Sequence, residues 1–430
     1  MLYPHCRMKT TRCTLLFLAF GASLLQLPAV EWTQYRGPAA NGNSPEKWKL
    51  TSVPTNGLRR LWQTNAETGF SSFTVADGKA FTIVGRQIDG VKREVLVALN
   101  AADGSELWAA PFGVARYDGG GDKGTPENKG GDGPRSTPSF SDGRVYVYSS
   151  AMKLACFDAK DGRQLWAQDV MKDFGGKNIT WQSAASPLLD DGLVFVVGGG
   201  AGQSLLAFDQ KTGTNVWKTQ DDGIVHASPT LATIHGVRQV VFITKPGLVA
   251  VVPKTGEVLW RQDFQARAVG ASPVVSGDLV YCSAGYNAGS LVARIKKDGD
   301  KFSSEVVWRK PNQLMNHWST PVVKDGYIYG MFGAAAFGTA PLKCIELATG
   351  EEKWSKPNFG MGNVILVDGH LIALCDDGEL CIAKATPEGY QQEGLFQAIG
   401  GKCWSTPAFS DGRIYLRSTT EGVCYETAAK

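Results

Sequence analysis

With 430 residues, 44 of them basic and 41 acidic, the chain is long enough for two or three ordinary domains and carries little net charge. Loss of Arg7, Lys9 and Arg12 with the first 29 residues would leave 41 cations against 41 anions, which removes the usual electrostatic basis for nucleic-acid binding. Seven of the nine cysteines follow residue 29, an odd number that argues against a complete disulfide framework.

In chain order, Arg7, Lys9 and Arg12 precede the apolar stretch Leu15 to Leu27, and Leu27-Pro28-Ala29 places a small residue at a cleavage point. This predicts a Sec-type signal peptide over residues 1–29, with Met1 and Met8 both open as starts. The apolar stretch is too short to span a bilayer. Cys13 lies ahead of it, so no lipid-attachment cysteine follows, and the mature chain is expected to be periplasmic or secreted, without a membrane span. Residues 30–57 read as a separate leader segment.

From residue 58 onward one phrase recurs. It reads A-L-N-A-A-D-G-S-E-L-W from Ala98 to Trp108, A-F-D-Q-K-T-G-T-N-V-W from Ala207 to Trp217, and A-V-V-P-K-T-G-E-V-L-W from Ala250 to Trp260. The apolar start suits a strand, and the Asp-Gly or Thr-Gly pair suits a turn whose glycine accepts a positive φ. Seven tryptophans, Trp62, Trp108, Trp166, Trp217, Trp260, Trp308 and Trp354, fall 43 to 58 residues apart. Each is expected to lie flat on the neighbouring unit, with the small first residue of the phrase beneath the indole. Cys156, Cys344 and Cys424 hold that first position in other copies and read as small buried hydrophobes.

Ahead of each phrase stands a second one, as in S-T-P-S-F-S-D-G-R-V-Y-V-Y from Ser136 and S-T-P-A-F-S-D-G-R-I-Y-L from Ser405. Its alternation and closely spaced turns predict antiparallel strands, four to a copy. Copies begin near Phe70, Ser136, Ser186, Ser228, Ser272, Thr320, Val364 and Thr406. The eighth stops after Cys424 without a tryptophan, while Leu58 to Trp62 is a closing strand with no unit before it. The economical solution is an all-β ring over residues 58–430, an eight-bladed β-propeller whose last four-stranded blade is completed by the N-terminal strand.

The paired phrases resemble the pyrroloquinoline-quinone (PQQ) repeat, most clearly from Ser136 to Trp166 and from Ala185 to Trp217, and W-T-Q-Y-R-G-P-A-A-N-G-N-S from Trp32 to Ser44 is similar to the leader of secreted BamB-like propellers. The repeat is shared by quinoprotein dehydrogenases and by non-catalytic propellers, so it implies the fold and leaves function open. It also implies that the inner strands begin around a funnel. Phe70, Arg135, Ala184, His226, Gly270, Trp318, Gly362 and Trp404 would ring its mouth, with Trp181, Asn316, His317 and Lys402 just upstream.

Of these, Arg135, Trp181, His226, Asn316, His317, Trp318, Lys402 and Trp404 form the candidate ligand site. Indoles, imidazoles and a guanidinium on one opening suit a planar, anionic or sugar-like ligand; the competing view is that Trp318 and Trp404 pack as an axial plug. The leading expectation is a non-catalytic, monomeric scaffold that binds a protein or an extended polymer through one face, without a cofactor. A PQQ-dependent oxidoreductase with calcium is one alternative, although the chain has no adjacent cysteine pair and no placeable Asp-Glu-Asn calcium set. A glycan-binding propeller is the other.

Further motifs read as structure. Asp118, Asp122, Glu127 and Asp132 lack calcium-loop spacing and predict a blade-to-blade connection. The run from Gly198 to Gly202 lacks a following helix and predicts a hairpin, and His235 and His370 are expected at hairpin turns without metal partners. Cys375 and Cys381 flank the turn Asp376-Asp377-Gly378, and their pairing stays open.

Overall fold

The computed structural model describes Met1 and residues 30–115, 117, 133–265, 269–333 and 340–427. The expected signal segment and the four acids from Asp118 to Asp132 lie outside the described residues. Eight antiparallel sheets form the ring, and their inner strands are Thr74–Ala76, Ser139–Ser141, Leu188–Asp190, Thr230–Ile234, Val274–Ser276, Val322–Lys324, Gly362–Val367 and Ala408–Ser410. Numbered in that order, the blades close as expected: Arg59–Asn65 pairs antiparallel with Glu421–Glu426, and Trp62 stands opposite Cys424.

The recurring tryptophan phrase has a specific packing role, which differs in one respect from the expectation. The small first residue is the cross-strand partner of the tryptophan within its own blade, as in Ala98 with Trp108, Cys156 with Trp166 and Ala207 with Trp217. What lies beneath the indole on the next blade is the turn glycine. A Cβ on Gly104, Gly162, Gly213 or Gly256 would come within 2.5–2.7 Å of the ring of Trp62, Trp108, Trp166 or Trp217. These glycines are therefore required twice, for their positive φ and for the indole above them. The indole N–H then donates to a carbonyl of the same turn, from Trp62 to Ala101, Trp108 to Ala159, Trp166 to Gln210, Trp217 to Pro253, Trp308 to Leu347 and Trp354 to Thr386. Trp260 differs and donates to the Gln239 side chain.

Every outermost strand carries a register irregularity at the tryptophan position, the extra residue that bends the strand there. Blade seven has Gly394 at that place, opposite Ile382. The gap is covered by the leader: a Cβ on Gly394 would meet Val53 at 2.6 Å.

The Ser/Thr-Pro phrase also acquires a purpose. Its hydroxyl accepts a backbone N–H from the preceding blade: Ser72 N–H bonds Thr137 Oγ1 at 3.0 Å, Thr137 N–H bonds Ser186 Oγ at 2.9 Å, and Ser186 N–H bonds Ser228 Oγ at 2.9 Å. Ser272 N–H reaches Thr320 Oγ1 at 3.0 Å, and Thr406 N–H reaches Ser72 Oγ at 2.7 Å across the ring closure. These bonds satisfy backbone donors that face the axis rather than another strand.

The leader runs across the end of the axis remote from the start of the inner strands. Trp32 bridges Val75, Thr33 O accepts from Phe140 N–H, and Gln34 Oε1 accepts from Leu189 N–H. Arg36, only 2% exposed, donates to the carbonyls of Asn41, Thr320 and Pro321 at 2.8–2.9 Å. Asn43–Ser44 then pairs in parallel with the inner strand of blade seven. Burial pushes the Arg36 guanidinium down to about 10, since carbonyl dipoles rather than a carboxylate compensate its charge. Beyond Ser44 the leader passes over blades seven and eight, where Trp48 stacks on His370 at 4.9 Å, and emerges as the strand that closes the ring.

Gly198 to Gly202 connects two strands of one blade, and His235 occupies a turn, both as expected. His370 begins a strand beside the Asp368-Gly369 turn and pairs with Glu393. Cys375 and Cys381 are free, because the register sets Ala373, not Cys375, opposite Cys381.

Candidate functional site

The side chains assigned to the mouth stand on the segments that lead into the inner strands, four residues ahead of the strand in every blade but the seventh, and the structure brings most of them together. Trp318 and Trp404 lie 4.3 Å apart between ring centroids, and Phe70 stacks on Trp404 at 4.8 Å. Blade seven stands between them in sequence, but its mouth residue is Gly362, which has no side chain to intervene. The row continues from Trp318 to His317 at 4.9 Å and from His317 to Tyr286 at 5.0 Å. Five rings thus follow one arc, and Trp318 and Trp404 pack together in the manner of an axial plug. Lys402 is buried, with its ammonium 3.8 Å from the centroid of Trp404.

The rest of the mouth is built around Arg135, which lies over the Tyr117 ring at 5.4 Å and donates to the carbonyl of Trp181. Trp181 in turn lies 6.3 Å from His226. Beneath Arg135 is a group that sequence reading did not single out. Glu94 is fully buried and accepts from Tyr117 Oη at 2.8 Å and from Ser150 N–H at 3.1–3.2 Å. Burial pushes its carboxyl up, against the downward pull of Ser150, Tyr117 and Arg135. The available signal was a glutamate inside the strand phrase V-K-R-E-V-L-V, where alternation alone does not explain a charge.

Asn316 occupies a different environment from the other candidates. It is 0% exposed, with Oδ1 accepting from Tyr281 Oη and Nδ2 donating to Met331 O, so its amide is engaged within the wall of the ring. The two histidines are neutral rather than cationic. Burial pushes His317 down to about 4, and burial followed by the charges of Arg135 and His317 does the same to His226. A hydrogen bond with the Gln182 backbone opposes the shift of His226 without reversing it. At neutral pH the two mouth imidazoles are therefore neutral.

The remote face has concavities of its own. An open cleft of about 870 Å³ lies between Thr33, Gln34 and Pro38 of the leader and the turns of blades one to three, and a niche of about 190 Å³ separates Arg36 and Asn41 from blades four and five.

A family model described as outer membrane protein assembly factor BamB matches residues 91–288 and 265–388, which together cover more than half of the sequence. The chain belongs to that family. Two relatives of that description are those of Salmonella typhimurium, 24% identical over 284 residues, and Alkalilimnicola ehrlichii, 27% identical over 210 residues. The matches cover 59% and 48% of this chain and 64% and 49% of those proteins, less than two thirds of either. Among solved structures, BamB from Moraxella catarrhalis superposes with a TM-score of 0.58 at 15% identity, over 86% of this chain and 97% of that one. The quinohemoprotein alcohol dehydrogenase of Comamonas testosteroni superposes with a TM-score of 0.64 at 12% identity, over 93% and 81%. Both likenesses show the shared propeller fold alone. This BamB family member thus has the family's ring, with one end of its axis covered by its own leader and the other lined by the aromatic arc and Arg135.

Proposed function

We propose that this chain is a periplasmic propeller scaffold without catalytic activity, which binds a protein partner through the face that carries the mouth. The observation that carries the reading is the leader. With Trp32 to Ser44 tied across the remote end of the axis, the leader's contacts lie at that end and not at the mouth, which favours the mouth as the face a partner approaches. Trp, Tyr and Arg are also the residue types in which binding energy concentrates at protein interfaces, and Trp181, Tyr286 and Arg135 stand on this rim. The family supports the class of activity, since its matched relatives are described as assembly factors. A quinone cofactor does not suit the site, because a planar ring system would need the space in which Trp318, Trp404 and Phe70 stack on one another. Among the described residues no three His, Cys, Asp or Glu side chains group as a metal site.

The test is co-purification from periplasmic extract with wild-type bait and with Arg135→Ala/Trp404→Ala bait, the fold of each checked by thermal melting. A partner recovered only by the wild type is expected. Recovery of the same partners by both baits would refute the mouth as the binding surface.

A further inference from the structure

Two exposed aromatic rings flank the mouth, and both are held there by unusual backbone. Trp181 is 39% exposed and Tyr286 is 49% exposed, whereas the ring-stacking residues between them are half-buried or buried. Trp181 and Gln182 have φ of 66° and 64°, and Tyr286 and Asn287 have φ of 52° and 65°. Two consecutive residues other than glycine in the left-handed region are costly, Asn287 being the one tolerant choice among the four. Strain of this kind persists only where surrounding contacts over-determine it, and it concentrates at ligand clamps.

Each loop is closed by a turn bond, and the two are supported differently. Gln182 N–H bonds Ile179 O at 3.0 Å, its side-chain oxygen accepts from Asn178 at 2.8 Å, and Arg135 holds the Trp181 carbonyl. On the other side Ala288 N–H bonds Gly285 O at 3.2 Å, and a Cβ on Gly285 would sit 3.0 Å from the His317 ring. Each exposed ring also leans on a mouth histidine, Trp181 on His226 at 6.3 Å and Tyr286 on His317 at 5.0 Å. Two different loops, with unrelated sequences, therefore spend conformational energy to hold a flat ring in water beside an imidazole.

We infer that Trp181 and Tyr286 form an aromatic clamp that binds carbohydrate across the mouth, an activity separate from the protein scaffold proposed above. Sugars present C–H faces that stack on aromatic rings and hydroxyls that both donate and accept. Here each ring is bordered by a group of matching character, His226 beside Trp181 and His317 beside Tyr286. The His317 imidazole, held neutral and with Nδ1 buried without a partner, keeps both donor and acceptor capacity, while one nitrogen of His226 bonds the Gln182 backbone. An apolar peptide side chain would cover the rings and leave those polar edges unpaired.

The test uses full-length mature protein and defined probes: gluco-, chito-, manno- and glucurono-oligosaccharides in calorimetry, and the corresponding polysaccharides in affinity gels. The first arm reads free sugar and the second reads sugar carried on a polymer. Saturable millimolar or tighter binding is expected for at least one class. Trp181→Ala and Tyr286→Ala should each weaken it roughly tenfold, the double variant should abolish it, and Trp181→Phe should restore part of it. Both side chains are exposed, so melting temperatures are expected to stay near that of the wild type. Failure of every probe, or equal binding by the double variant, overturns the clamp. If sugars fail while the same double variant loses a protein partner, the rings belong to the scaffold surface, and only the carbohydrate inference falls.

Discussion

Acid should weaken this protein through the two mouth histidines. Both are pushed from an ordinary value near 6.5 down to about 4 in the folded ring, so between those two values the unfolded chain binds protons that the folded chain refuses. Stability is then fully present above pH 6.5 and is lost as the pH falls towards 4. Each tenfold difference in proton affinity between folded and unfolded chain is worth about 1.4 kcal/mol, so each ring contributes about 2 kcal/mol of loss between pH 7 and pH 4.5. Glu94 acts in the opposite sense, because burial raises its carboxyl and its neutral form favours the fold in acid. The difference between proteins is therefore more informative than the raw profile. The assay is urea unfolding at pH 7 and pH 4.5 for the wild type and for His226→Asn/His317→Asn, which removes the titration and keeps polar side chains in place. The double variant should lose less stability on acidification than the wild type, by an amount approaching the sum of the two rings. A further arm is Arg135→Met, which should let the His226 pKa rise, as followed by NMR titration, since the Arg135 charge is part of what holds it down. An identical pH dependence in wild type and double variant would refute the assignment of neutral, buried imidazoles to the mouth.

Other consequences concern the scaffold. Gly213→Ala should cost about 2–4 kcal/mol, from the left-handed backbone together with a Cβ placed 2.6 Å from the Trp166 ring, as measured by denaturant melts. Gly78→Ala shares the positive φ with open space around it, and should cost only about 1–2 kcal/mol. Arg36→Met should strip donors from the buried carbonyls of Thr320 and Pro321, at about 1–3 kcal/mol for each group left unpaired, and should expose the leader to limited proteolysis before the ring is cut. The seven described cysteines are all buried, with Cys344 and Cys381 pushed up to about 11 and Cys156, Cys375 and Cys424 to about 12. They should therefore resist a thiol reagent at pH 8 until denaturant is added, and early reaction of any of them would contradict the packing.

The fold was legible because its defining contacts are local and copied. Each blade pairs strands a few residues apart, so alternation and turn chemistry repeat with the architecture, and an unmatched closing strand at one end can be joined to an unfinished blade at the other. The indole contact was legible only in part. The alanine or cysteine of the phrase is fixed by pairing inside a blade, whereas the glycine under the ring belongs to the next blade, and a single phrase does not say which copy its glycine serves. The leader was not legible as a plug, because its anchor is a side chain 284 positions away from the carbonyl it holds, as in Arg36 and Thr320. No periodicity reports such a bond. Register carried most of the mouth, since a ring of equivalent positions follows from equivalent strands. It missed Glu94, Tyr117 and Tyr286, which reach the mouth from a long hairpin, a connection and a left-handed turn, none of which is repeated from blade to blade.

The departures from the repeat therefore tell more about this chain than the repeat does. Blade seven lacks the docking tryptophan, and the same leader that covers the axis brings Val53 to the vacant position at Gly394. The same segment thus fills the gap in that blade, adds a parallel strand to its inner edge and buries an arginine against the carbonyls of blade six. Its three roles are joined in one chain, since the segment that pairs at Asn43–Ser44 with blade seven runs on into the strand Arg59–Asn65 that pairs with Glu421–Glu426. Closure of the ring and covering of its remote end thus involve adjoining stretches of one segment, and the leader's bonds lie at the end of the axis opposite the aromatic arc.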